Sequence, residues 1–440
     1  MYLHGTSRIN QLGHLEIGGC DTVQLSKEYG TPLFIYDEAY MRQKCQAFVS
    51  AFKEKNIKAQ VAYASKAFSC IAMCQLIEQE GMSLDVVSGG ELYTALQANF
   101  PVEKIHFHGN NKSIEELEMA LDAQIGCYVV DNFYELDLLH DLASARKQKV
   151  NILLRITPGV EAHTHEYITT GQEDSKFGFD LTSGQVRIAL EKAIQMPYYS
   201  VLGLHSHIGS QIFETDGFLL AIEKLVQALD ELETELDWKL SVLNLGGGFG
   251  IRYQEDDTPL DIKEYVYAMC EKVELEWNKR GKQIPEIWIE PGRSIVGDAG
   301  TTLYSIGSQK EVPGVRKYLS VDGGMSDNLR VALYQAKYEA AIANRMNAAL
   351  DETYTVAGKL CESGDILIWD LKLPTVQQND LLAVSCTGAY GYAMSNNYNR
   401  IRRPSVLFVK DGQVKEVVRR ETYKDIVQND LPLRQEVQQQ

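Results

Sequence analysis

From residue 33 onward the chain alternates two patterns. Short apolar runs recur at 33–37, 60–67, 83–89, 104–109, 127–132, 151–158, 201–210, 242–250 and 286–293, and they end in polar or glycine residues. Between most of them the apolar spacing is helical, as with Ile114, Leu117 and Leu121, or Leu136, Leu138, Leu139 and Leu142. Near-continuous apolar strands separated by amphipathic helices predict a parallel sheet covered on both faces. Eight or so such units predict a closed (β/α)8 barrel over residues 37–298, in an α/β plus β protein. In such a barrel the chemistry gathers at the C-terminal ends of the strands. The polar residues there are Lys66, Asp85, Ser88, His108, Asn110, Asp131, Arg155, His207, Ser210, Glu290 and Arg293, with the glycines of 246–250.

After residue 298 the rhythm becomes β-rich. Apolar runs at 304–308, 318–321, 353–357, 366–369, 381–386, 405–409 and 414–418 alternate with turn residues such as Asp322-Gly323-Gly324 and Asp411-Gly412. They predict a second, mostly antiparallel β domain over 299–440, to which residues 1–36, with short runs at 15–17 and 23–25, add. A helical insert is expected over 329–345, and the Gln-rich tail after Leu433 reads as disordered.

Composition narrows the partners. Forty-three basic against sixty acidic residues give a net charge of −17, which argues against nucleic acid or an anionic membrane surface as the main partner. Eight cysteines without C-x-x-C spacing read as reduced thiols. The first residues lack the basic and apolar regions of a secretory leader, and no run is long enough to span a membrane, so a cytoplasmic location is expected.

Several motifs carry candidate chemistry. Lys66 ends the run 60–67, and burial among apolar neighbours would lower its pKa and free the amine to attack a carbonyl. Gly246-Gly247-Gly248-Phe249-Gly250 offers backbone N–H groups to a phosphate, but position 251 is Ile, so it is no dinucleotide fingerprint. His205 and His207 share a strand face. They suit a metal site, a packed core, or an imidazole stacked on a planar cofactor, although no acidic or Cys partner stands at ligand spacing. Glu290-Pro291-Gly292-Arg293 places a carboxylate that could keep a pyridine nitrogen protonated ahead of an arginine that could clamp a carboxylate. Cys361-Glu362-Ser363-Gly364-Asp365 puts a thiol and two carboxylates on a turn, Tyr390 stands between glycine-flanked positions, and Arg330 and Tyr334 share a helical face.

In this order, Tyr63-Ala64-Ser65-Lys66, 85–91, 108–112, His207-Ile208-Gly209-Ser210, 246–250, 290–293, 361–365 and 388–391 resemble the diaminopimelate decarboxylases. Those enzymes belong to the alanine-racemase-like, fold type III group of pyridoxal phosphate (PLP) enzymes. The resemblance covers residues 1 to about 430, with Val331 standing where the family pattern has Pro. It implies that Lys66 carries PLP, that His207 stacks on its ring and that Glu290 pairs with its nitrogen. Ser210, Gly248, the turn Glu290-Pro291-Gly292-Arg293 and Tyr390 would hold the phosphate end. Arg293, Arg330, Tyr334, Glu362 and Tyr390 would grip the substrate. It further implies a homodimer in which Cys361 and Glu362 reach the partner's site, with Cys361 as a proton donor. The activity implied is decarboxylation of meso-2,6-diaminopimelate to L-lysine. Other basic amino acids of the same fold's decarboxylases would meet a repelling Arg330, and a racemase of this fold has arginine where Glu290 stands.

Overall fold

The computed structural model describes residues 1–160 and 175–433, so the Gln-rich tail lies outside the described residues. Eight parallel strands close on themselves: β1 (Ala59–Ala64), β2 (Ser83–Val86), β3 (Ile105–Phe107), β4 (Cys127–Val130), β5 (Val150–Thr157), β6 (Tyr199–Ser206), β7 (Val242–Asn244) and β8 (Glu286–Ile289). β8 pairs with β1 through Ile287–Ile289 against Ala59–Val61, which completes the barrel. The run 33–37 is not a barrel strand. Leu33–Asp37 pairs instead with Gly300–Val312 and Ser405–Lys410 in the second sheet.

Period-two alternation sorts each barrel strand into two faces. Ile152, Leu154, Leu204, Leu243, Ile287 and Ile289 pack outward in the large core shared with the helices. Cys127, Val129, Leu153, Val242 and Trp288 form a separate inner cluster, where His106 stacks on Trp288 at 4.2 Å. Two residues further toward the strand ends, the same inward face turns polar: Asp85, His108, Asp131, Arg155, Asn244 and Glu290 follow Ser83, His106, Val129, Leu153, Val242 and Trp288. The barrel is thus apolar at its base and charged at its mouth. Some polar strand ends serve helices instead. Ser88 accepts from the Glu91 amide as an N-cap, and Asn132 accepts from the Glu135 amide.

The second sheet is mixed. Its central strand Gly300–Val312 runs antiparallel to Arg316–Val321, Leu381–Val384 and Leu33–Asp37, whereas Ser405–Lys410 runs parallel to Leu33–Asp37. Two sequence expectations fail in this region. The insert over 329–345 is helical only at Arg330–Tyr334; Gln335 turns into the left-handed region at φ 52°, and Ala340–Ile342 becomes a strand paired with Leu381–Val384. The run 23–25 lies in the helix Thr22–Tyr29, started by an Asp21 side chain that accepts from the Val23 amide.

Candidate active site

Glu290 is the hub of the barrel mouth. It is 7% exposed and follows β8 directly. Oε1 accepts from Asn244 Nδ2 at 2.6 Å and lies 3.0 Å from His108 Nε2; Oε2 lies 3.1 Å from His205 Nε2. The His108 approach is an ion-pair contact rather than an aligned hydrogen bond, and its Nε2 also sits 3.7 Å from Asp85. Burial alone would raise the Glu290 carboxyl, but His108 and His205 hold it well below the usual carboxylate range. Burial would lower His108, yet Asp85 and Glu290 raise it, which favours its charged form. Burial takes His205 down to about 4 against the pull of Glu290. An ionised carboxylate therefore stands at the barrel centre, held by neutral and cationic donors. A carboxylate has about four acceptor sites. The bonds to Asn244 and His205 and the charge contact of His108 leave room for one more donor, such as the N–H of a protonated pyridine. The acidic neighbour of His205 that spacing along the chain could not reveal is Glu290, brought in from another strand.

His207 follows β6, and its Nδ1 accepts from the Gly247 amide at 3.2 Å. Burial, then the nearby charges of Lys66 and Arg155, push it well below the ordinary histidine value. A neutral imidazole at the mouth suits stacking on a planar ring. The glycine loop is pressed between neighbouring turns. A Cβ on Gly247 would lie 2.1 Å from Glu290 O, and one on Gly248, at φ 108°, would lie 2.4 Å from Gly209 O. Only glycine permits this approach.

Arg293 follows Glu290-Pro291-Gly292, is 7% exposed, and donates through Nη2 to Ser210 Oγ at 2.9 Å. Its Nη1 donates to Tyr253 Oη, to which Arg330 Nη1 also donates at 3.2 Å. Arg330 donates to Tyr338 Oη at 2.6 Å as well. Tyr390 lies beneath both guanidinium groups, 5.0 Å from Arg293 and 6.0 Å from Arg330. It holds φ at 61°, and its amide donates to Ala67 O at 2.8 Å, which ties it to the lysine turn. Neither arginine has a carboxylate within ion-pair distance among the described residues.

Lys66 departs from expectation. It sits in the short turn Ser65–Ala67 after β1, and its neighbours are buried, but its own side chain is exposed at the mouth. Tyr334 is also open, at 38%, although it shares the short helix Arg330–Tyr334.

Cys361 and Glu362 are not brought to the mouth by their own chain. Both are exposed on the turn between Glu352–Ala357 and Ile366–Leu373. The Cys361 amide donates to Asn399 Oδ1 at 2.7 Å, and Glu362 accepts from the Tyr398 hydroxyl at 3.3 Å. Asp365 is spent on structure, accepting from the Met325 and Leu360 amides at 2.6 and 2.9 Å. Asn244, Tyr253 and Tyr338 are the site residues the sequence did not single out. Only the period-two step from Val242 to Asn244 signalled any of them.

The mouth fits PLP. Among the described residues, buried Ser65 Oγ, Asp85 Oδ1, Asp131 Oδ1, Arg293 Nε and Ser294 Oγ at or beside the strand ends have no hydrogen-bond partner. A lysine amine, a neutral imidazole suited to stacking, a charged carboxylate and a glycine cradle complete the set.

The model of the pyridoxal-dependent decarboxylase pyridoxal-binding domain matches residues 38–297. The diaminopimelate decarboxylase of Bacillus subtilis (strain 168) is 64% identical over all of both chains. That of Staphylococcus aureus (strain COL) is 46% identical over 97% of this chain and 99% of its own. Among solved structures, the diaminopimelate decarboxylase of M. jannaschii in complex with L-lysine superposes with a TM-score of 0.91 at 35% identity, covering 98% of this chain and 99% of its own. The Helicobacter pylori enzyme complexed with L-lysine gives 0.84 at 28% identity, over 93% and 98%. On fold, site and full-length identity together, the chain belongs to the diaminopimelate decarboxylase family of PLP-dependent decarboxylases.

Proposed function

We propose that the protein decarboxylates meso-2,6-diaminopimelate to L-lysine and CO2, the last step of lysine biosynthesis, with PLP carried on Lys66. The observation that carries the substrate assignment is the pair Arg293 and Arg330. Two guanidinium groups converge on one phenol oxygen, and among the described residues no carboxylate pairs with either. That is a receptor for a distal carboxylate, which diaminopimelate has and a diamine-ended substrate lacks.

When bound, PLP supplies an electron sink for the pair left at Cα as CO2 departs. Glu290, kept ionised by His108 and His205, holds the proton on the ring nitrogen that the sink needs. His207, a neutral imidazole, would stack on the ring. Ser210, the loop at Gly248, the turn Glu290-Pro291-Gly292-Arg293 and Tyr390 hold the phosphate end. Arg293, Arg330, Tyr334 and Tyr390 orient the distal head.

Two residues of the set, Cys361 and Glu362, stay exposed and tied to their own domain. Their place is across a homodimer interface, where the thiol delivers a proton to Cα from Sγ and the carboxylate takes the distal ammonium. The organisation is a barrel over 37–298 and a β-rich unit from 1–36 and 299–440. Eight free thiols fit a reducing, cytoplasmic setting, and among the described residues no helix is long and apolar enough to cross a membrane.

The test is CO2 release across meso-diaminopimelate, lysine, ornithine and arginine. Strong preference for the first is expected. Comparable kcat/KM for lysine or ornithine would overturn the substrate while leaving PLP-dependent decarboxylation standing.

A further inference from the structure

Tyr253 lies just past the glycine loop, is 8% exposed, and accepts from both substrate-facing arginines. The two donors come from different units. Arg293 follows the last barrel strand, whereas Arg330 lies in the second domain. Like charges repel, and among the described residues no carboxylate stands between them. The phenol oxygen does, as an acceptor shared by two cations. Tyr338 supports the arrangement. It is 3% exposed, its hydroxyl takes a second bond from Arg330, and its ring meets the Tyr253 ring edge-on at 5.7 Å and 81°.

We propose that Tyr253 is a positioning residue that sets substrate specificity: by fixing the separation and tilt of Arg293 and Arg330, it makes the pocket discriminate a distal carboxylate from a bare amine. The inference rests on the proposed substrate and adds the device that selects it. Guanidinium groups held in place before binding lose little freedom when the carboxylate arrives, so the phenol acts through pre-organisation rather than by touching the substrate. Tyr253→Phe removes only the shared oxygen and keeps the buried ring.

The test uses the holoenzyme and two ligands of equal chain length. L-lysine, the product, retains the distal head with its carboxylate; cadaverine is the same chain without it. Their dissociation constants are read from the perturbation of the cofactor's visible absorbance, beside kcat and KM for meso-diaminopimelate. In Tyr253→Phe, KM for diaminopimelate and the dissociation constant for lysine should each rise about ten-fold, as expected for one hydrogen bond to a charged group. Cadaverine binding, the cofactor spectrum and the melting temperature should stay as in the unmodified enzyme, and kcat should fall less than KM rises. Tyr338→Phe, which removes one bond from Arg330 alone, should shift lysine in the same direction by less. An unchanged lysine-to-cadaverine ratio in Tyr253→Phe overturns the inference. So does a parallel loss of both ligands, kcat and melting temperature, which would make Tyr253 mere scaffold. If the unmodified enzyme itself fails to prefer diaminopimelate over lysine as substrate, the proposed function falls and takes this inference with it. Selectivity present in the unmodified enzyme and retained in Tyr253→Phe counts against this inference alone.

Discussion

The barrel mouth and the turn at Cys361 are built to opposite standards. At the mouth, Glu290 is buried and held by Asn244, His205 and His108 from three other strands. On the turn, Cys361 and Glu362 are exposed, and their hydrogen bonds run back into their own domain. A buried charged network needs every partner present when the chain folds, because each missing one leaves a costly unsatisfied group. An exposed turn has no such requirement and can wait for a second copy. The charged network of the mouth is thus brought together within one chain, whereas the turn at Cys361 reaches a site only under the proposed homodimer.

The sharpest break of this comparison is Lys66→Ala. No measurable turnover should remain, while the folded barrel persists because the side chain is exposed and supports no packing. Borohydride treatment of the unmodified protein should fix the cofactor to the peptide containing Lys66; label on any other lysine would refute the assignment. Cys361→Ala comes next, with kcat lowered about a hundred- to ten-thousand-fold, the range of a lost general acid. Mixing the two inactive variants then tests where the thiol acts. Random reassortment puts both lesions in one site of each mixed dimer and leaves its other site intact, so about a quarter of the activity should return. If subunit exchange is verified and nothing returns, Cys361 serves its own chain or lies outside the chemistry. Smaller again is Arg330→Ala, which should raise KM for diaminopimelate about ten- to a hundred-fold with cofactor affinity unchanged. Loss of the cofactor in that variant would show that the distal pocket and the mouth are one unit rather than two.

How much of this the sequence discloses follows the same divide. Barrel strands and the inward polar layer are local and periodic, so the runs from 60 to 293 and the residues Asp85, His108, Arg155 and Glu290 could be placed from spacing alone. The contacts among them could not. His205 meets Glu290 across 85 positions of sequence, and Tyr253 meets Arg330 across 77. Closure of the barrel and docking of the second sheet create those encounters. The failures have the same origin. Residues 340–342 carry a helical apolar spacing, but the edge of Leu381–Val384 claims them as a strand. Lys66 was expected to be buried because its neighbours are apolar, yet the turn Ser65–Ala67 swings it into the open mouth.

The smallest effect expected separates the two regions by pH. Beneath the mouth, burial and then the charge of His108 lower His106 from 6.5 to about 3. Below 6.5 the unfolded chain takes up a proton that the folded His106 refuses. Its contribution is thus fully present above that value and is lost as pH falls toward 3. In the second domain, burial raises Asp327 from 3.8 to about 7, opposed by its bond from the Gly324 amide and helped by Asp322. Above 3.8 the unfolded carboxyl releases a proton that the folded one keeps, so this contribution is lost as pH rises toward 7 and is constant beyond. The two slopes have opposite signs. Hydrogen exchange followed peptide by peptide reads them apart. His106→Gln should flatten the acid-side loss in the barrel peptides alone, and Asp327→Asn should remove the neutral-side loss around residues 322–328 alone. If either substitution changes both regions equally, the barrel and the second domain unfold as one cooperative unit. Phe34, Tyr36 and Phe408 of the second sheet share the large core with the barrel, so such a result would place that shared core in control of both regions.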